Sequence, residues 1–100
     1  MASTTRVTIN LPGEIGPLDR GVRFEDPLGE ALGTRGSVVG GGSELGPKDD
    51  RLVPIAAEIE VELTDREGGL AVVREILKRQ GAPAGTKLFL DGEWHPLYEG

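Results

Sequence analysis

Two alternating strand patterns, a capped helix and a closing hairpin signal predict an α+β fold for this chain. The run Ile55–Thr64 places Ile55, Ala57, Ile59, Val61 and Leu63 on one side and Ala56, Glu58, Glu60, Glu62 and Thr64 on the other. Side chains on a strand alternate between faces, so the run reads as a half-buried strand with one apolar and one acidic face. Arg6–Leu11 alternates in the same way, with Val7, Ile9 and Leu11 opposite Arg6, Thr8 and Asn10. Residues 64–80 carry a start signal, an apolar stripe and a stop signal for a helix.

In chain order, the first strand ends at Pro12-Gly13, a turn dipeptide. Residues 12–24 read as an extended connection pinned by Ile15, Leu18, Val22 and Phe24. Asp26-Pro27 fits N-cap followed by N1, with a short helix through Leu28, Ala31 and Leu32 to Gly33. Val38 and Val39 suggest a strand within Gly36–Leu45, and Gly40-Gly41-Gly42 a bulge or a close approach. The turn at 46–50 leads into the acidic strand, so the two strands form an antiparallel hairpin.

In the second helix, Thr64 and Glu67 have capping-box spacing, and Leu70, Val73, Ile76 and Leu77 form the buried stripe. Arg74, Lys78 and Arg79 suit the negative end of the helix dipole, Gly81 the C′ position, and Pro83 blocks continuation. Lys87–Leu90 is a strand, Asp91-Gly92 a hairpin turn, and Glu93–Tyr98 the return, with Pro96 marking a sheet edge. This order predicts a ferredoxin-like βαββαβ sandwich with a C-terminal β-hairpin arm, within a single domain over 1–100 and with residues 1–4 as a flexible tail. In that arrangement the first and third strands are central neighbours, so Arg6, Thr8 and Asn10 lie beside Glu58, Glu60 and Glu62 on the open face.

One stretch resembles small bacterial proteins without assigned function. These carry a helix such as Gly69–Leu77, then Gly-Ala-Pro-x-Gly-Thr, here Gly81 to Thr86, and a final strand. Gly40-Gly41-Gly42 before a hairpin is similar to part of the same pattern, and the likeness covers the second half of the chain. It implies no activity and assigns no site residues.

Composition narrows the function classes. The net charge of −6 disfavours nucleic acid and anionic membrane as partners, since both are polyanions. With no cysteine, disulfides, thiolate catalysis and Cys-based metal sites are excluded. The absence of a signal-like apolar segment leads to the expectation of a cytoplasmic protein. No serine nucleophile has motif context, the lone His95 cannot build a metal site, and Gly40–Gly42 lacks the Lys-Ser/Thr of a phosphate loop. The chain is therefore expected to be no enzyme and to hold no cofactor and no metal.

What remains is a row of three like charges, Glu58, Glu60 and Glu62, which mutual repulsion makes an odd choice for stability alone. It suggests docking of a basic protein. Trp94 and Tyr98, together with Phe89, make an interface-type aromatic patch at the sheet edge or fill the core. The expected function is a small acidic protein-interaction module, in concrete form an immunity-type protein masking a basic toxin or nuclease. The alternative is a regulatory domain binding a small metabolite through residues 12–24 and the glycine stretch.

Overall fold

The structure is a computed structural model that describes residues 3–98. Five strands form one antiparallel sheet: β1 (Thr5–Pro12), β2 (Gly36–Lys48), β3 (Arg51–Leu63), β4 (Lys87–Leu90) and β5 (Glu93–Pro96). The order across the sheet is β2-β3-β1-β4-β5. Two helices complete the α+β fold, a composite α1 over residues 17–32 and α2 (Arg66–Arg79). Half of the tail expected over residues 1–4 lies outside the described residues.

The alternating patterns determine which face is buried. Val7, Ile9 and Leu11 of β1, Ala57, Ile59, Val61 and Leu63 of β3, and Leu88 and Leu90 of β4 form one apolar layer. Phe24, Leu28 and Leu32 of α1 and Val73, Ile76 and Leu77 of α2 cover it. Both helices therefore lie on the same side of the sheet. Leu70, expected in the stripe, is only partly buried at the margin of this cluster.

The first connection departs from expectation. Residues 17–25 are helical, not extended: an α-turn over Pro17–Asp19 runs through a π-helical stretch, Arg20–Glu25, into Asp26–Leu32. Phe24, Leu28 and Leu32 are spaced by four and point into the core, whereas Leu18 and Val22 are exposed and anchor nothing. Asp26 is consequently inside the helix, with αR backbone angles, and its N–H bonds to the Gly21 carbonyl five residues back. The residue before the first helical turn is Gly16, followed by Pro17.

Proline inside a helix deletes one N–H, and Pro27 is accommodated at the π-to-α junction. In an unbroken α-helix the N–H of residue 27 would bond to the Arg23 carbonyl. Here the Gln80 Nε2 donates to that carbonyl at 3.0 Å, while the Arg23 Nη2 donates to the Gln80 carbonyl at 3.3 Å. The C-terminal end of α2 thus supplies a side-chain donor to a carbonyl of α1 one turn before Pro27.

The cap of α2 also shifts by one residue. Asp65, not Thr64, is the N-cap, and its carboxylate accepts from the Gly68 N–H at 3.1 Å. Thr64 donates its hydroxyl to the Thr34 carbonyl at 2.8 Å, tying the end of β3 to the segment that enters β2. Both residues can cap, and the tertiary partner of Thr64 decides which one does.

β2 and β3 are longer than the patterns suggested. They pair from Gly36↔Leu63 to Lys48↔Arg51 around a two-residue turn whose members Asp49 and Asp50 both have positive φ. Two register shifts interrupt the ladder, at Val39 and at Ile55. The second lifts Ile55 out of the apolar row, and its side of β3 is exposed there. β1 reaches only to Ala56, so the far end of the hairpin projects beyond the sheet. Asp91-Gly92 forms the β4–β5 turn with positive φ at both residues, as the dipeptide signalled.

Candidate protein-interaction face

The register places the acidic row where the alternation predicted. Arg6 lies opposite Glu62, Thr8 opposite Glu60 and Asn10 opposite Glu58, all on the face that the helices leave bare. Arg6 bridges two of the carboxylates, with Nη1 donating to Glu60 at 3.1 Å and Nη2 to Glu62 at 3.0 Å. The repulsion expected of three adjacent glutamates is therefore largely relieved within the chain. Among the described residues Glu58 makes no ion pair, and it stands between Asn10 on β1 and Gly42 on β2.

The second half of the same face is aromatic. Across the sheet Thr8 aligns with Phe89 and then Trp94, and Asn10 with Lys87 and then Pro96. The Phe89 and Trp94 rings meet edge-to-face at 5.0 Å. The Lys87 ammonium lies over the Trp94 ring, 4.4 Å from its centroid. Lys87 thus serves as a cation on the indole, not as a counter-ion for the glutamates. Trp94 is 45% exposed and Phe89 38%, so neither fills the core.

Tyr98 does not join this cluster as a strand residue. It follows β5, is 41% exposed, and its hydroxyl donates to the Ala82 carbonyl at 2.5 Å. The core position at this end belongs to Leu97, whose N–H bonds to the Thr86 carbonyl at 2.9 Å. His95 is half-buried on the other side of β5 from Trp94, opposite Leu88.

The glycine stretch has a packing role. Gly40 and Gly42 face the open side opposite Glu60 and Glu58, whereas Gly41 faces the helices opposite Ile59. Against Gly41 lie Arg20 and Glu25 of the π-helical stretch, with Nε to Oε2 at 3.4 Å and side chains only 15% and 23% exposed. The Arg20 Nη1 also donates to Ser43 at 3.3 Å, while its buried Nε–H makes no hydrogen bond. A side chain at position 41 would overlap the Glu25 carboxylate. Where residues 12–24 meet the glycines, an ion pair of the chain itself thus lies against Gly41.

Charges elsewhere are held by neighbours. The Arg66 guanidinium hydrogen-bonds Asp91 and holds its carboxyl below the usual range, and the same contact raises Arg66. Glu14 is lowered by its hydrogen bond from Lys48, at 2.8 Å. Among the described residues no group of three His, Asp or Glu side chains could hold a metal ion. No helix among them is long and apolar enough to cross a membrane. Comparison with family models, with curated proteins and with solved structures finds no match to this chain.

Phe89 was expected in the aromatic patch, whereas Lys87 was absent from the sequence-derived site. The signal for Lys87 was present: Leu88 and Leu90 alternate with Lys87 and Phe89, and the alternation assigns both to the open face beside Trp94.

Proposed function

We propose that this protein is a small acidic interaction module that docks a basic protein on its open sheet face, in the manner of an immunity protein masking a toxin or nuclease. The observation that carries the reading is the composition of the uncovered face. Carboxylates lie on β3 and an exposed aromatic pair on β4 and β5, joined by the polar row of β1. Charge on such a face accelerates encounter and sets orientation, while exposed aromatic side chains supply the contact area that slows release. The reading includes a binding rather than catalytic role and a cytoplasmic location.

The same reading takes the fold as ferredoxin-like with an added arm. Supporting it are the order β2-β3-β1-β4, in which the first and third strands are antiparallel central neighbours, and the placement of both helices on one face. β5 extends that order by one strand, as the terminal hairpin.

The test is association kinetics with a partner captured by pull-down, at two ionic strengths. Replacing Glu58, Glu60 and Glu62 together by Gln is expected to slow association, with a defect that shrinks at high salt. Trp94→Ala is expected to speed dissociation with little salt dependence. Unchanged kinetics in both variants would overturn the assignment of this face.

A further inference from the structure

Tyr98 separates two adjoining cavities at the β5 edge. One, of about 460 Å³, is lined by Arg74, Lys78, Leu97 and Tyr98. The other, of about 250 Å³, lies between Lys87, Trp94, Pro96 and Tyr98. Two cations, Arg74 and Lys78, therefore line the first cavity in a chain whose net charge is −6, and a third, Lys87, lines the second, over the Trp94 ring. Among the described residues none of the three has a carboxylate partner.

The walls are held in place. The Tyr98 hydroxyl is tied to Ala82, the Leu97 N–H to Thr86, and the Arg74 Nη1 donates to the Pro96 carbonyl at 3.2 Å. Arg74 and Lys78 are four residues apart on α2 and so share a helix face. One guanidinium donor is used by Pro96, and the fork retains others for an anion. The tyrosine ring cannot swing away without breaking its bond to Ala82, so its face is a fixed apolar wall beside the two cations.

We propose that this groove binds a small organic anion. A phosphate or carboxylate group sits on Arg74 and Lys78, and a planar or apolar body lies against Tyr98. A volume of this size is in the range of small-molecule sites and is more than an inorganic anion fills. Lys78 is an exposed group in the last turn of α2, at the negative end of the helix dipole, so affinity is weak, with Kd on the order of 1 mM. The site lies apart from the acidic row and does not depend on it.

The probes are inorganic phosphate, phenyl phosphate and phenylacetate, titrated into ¹⁵N-labelled protein at fixed ionic strength. Saturable shifts are expected at the amides of Arg74, Lys78, Leu97 and Tyr98, with phenyl phosphate or phenylacetate bound at least about threefold tighter than inorganic phosphate. Lys78→Gln should weaken binding about fivefold, and Tyr98→Phe, which keeps the ring but frees it from Ala82, should weaken the two aromatic probes while changing inorganic phosphate by less than about twofold. Glu99 follows Tyr98 in sequence and lies outside the described residues; Glu99→Gln, which removes that carboxylate, should leave binding equal or tighter. The Gln variant of the three ladder glutamates should leave it unchanged. Non-saturating shifts, inorganic phosphate binding as tightly as both aromatic probes, or equal sensitivity to Lys78→Gln and to the ladder variant would each overturn the proposal.

Discussion

Adjacent glycines in β2 should respond to the same substitution with opposite signs. At Gly42 an added Cβ meets nothing within 4 Å, and at Gly41 it overlaps Glu25 and comes within 3.3 Å of the Glu58 carbonyl. Gly42→Ala removes backbone freedom from the unfolded chain without strain, a gain of about 0.4–1 kcal/mol. Gly41→Ala makes the same gain but must push Glu25 away from Arg20. Breaking a buried pair costs roughly 3–5 kcal/mol and an exposed one about 0–1. With the two side chains 15% and 23% exposed, this pair lies between those limits, at about 2 kcal/mol. The net loss is then about 1–2 kcal/mol, or a fall in Tm of roughly 4–16 °C for a domain of this size. Thermal and urea unfolding of both variants measures it. The Arg20→Ala/Glu25→Ala background provides the control: with the pair gone, Gly41→Ala should become neutral or stabilising. A stabilising Gly41→Ala in the native background, or a penalty that persists after the pair is removed, would refute the reasoning.

Three further outcomes are expected. Val73→Asp should unfold the domain, because it buries an unpaired charge beneath α2; a cooperative transition of near-native midpoint by circular dichroism would contradict the core assignment. Glu58→Gln should leave stability unchanged or raise it by a few tenths of a kcal/mol, since Glu58 adds repulsion and forms no ion pair, whereas Glu60→Gln or Glu62→Gln also detaches one hand of Arg6; a loss above about 1 kcal/mol for Glu58→Gln would argue for a structural role. Asp91 titrates lower in the folded protein than in the unfolded chain, so its stabilising contribution is present above the unfolded pKa and is lost as pH falls through the lower folded value; Asp91→Asn, which tolerates the positive φ, should flatten the acid side of the stability curve, and an identical acid limb in both proteins would count against it.

Much of the architecture was legible because it repeats over short distances. The alternation in residues 6–11 and 55–64 indicates both strands, and the assumed topology set Arg6, Thr8 and Asn10 beside the glutamates as the register has them. The segment 17–25 was misread for a physical reason. Its π-helical turns break the 3.6-residue period, and Gly16, Pro17 and Gly21 resemble loop residues. Only the spacing of Phe24, Leu28 and Leu32 signalled a continuous helix. Other misses came from distant partners. Thr64 is diverted from capping by Thr34, and Gly41 is required because Arg20 and Glu25 lie against it. For the site, the glutamates and Trp94 were readable as face residues. Tyr98 was not separable from them, because its position depends on the hydroxyl bond to Ala82.

The mismatch in strand length divides the β2–β3 hairpin into two regimes of local opening. Up to Ala56 the strand β3 has a neighbour on each side, whereas the end beyond it is held mainly by its own partner, the Gly13 N–H on the Ile55 carbonyl and the Lys48–Glu14 pair. A two-stranded ribbon in water is marginal without further support. Amide hydrogen exchange along β3 should therefore change abruptly near Ala56: slow and tied to global unfolding on the Leu63 side, fast and independent of it towards Arg51. The tip can open, be nicked by a protease or accept an insertion at Asp49-Asp50 while the core stays folded, which makes it the natural position for a reporter tag that leaves the sheet face intact.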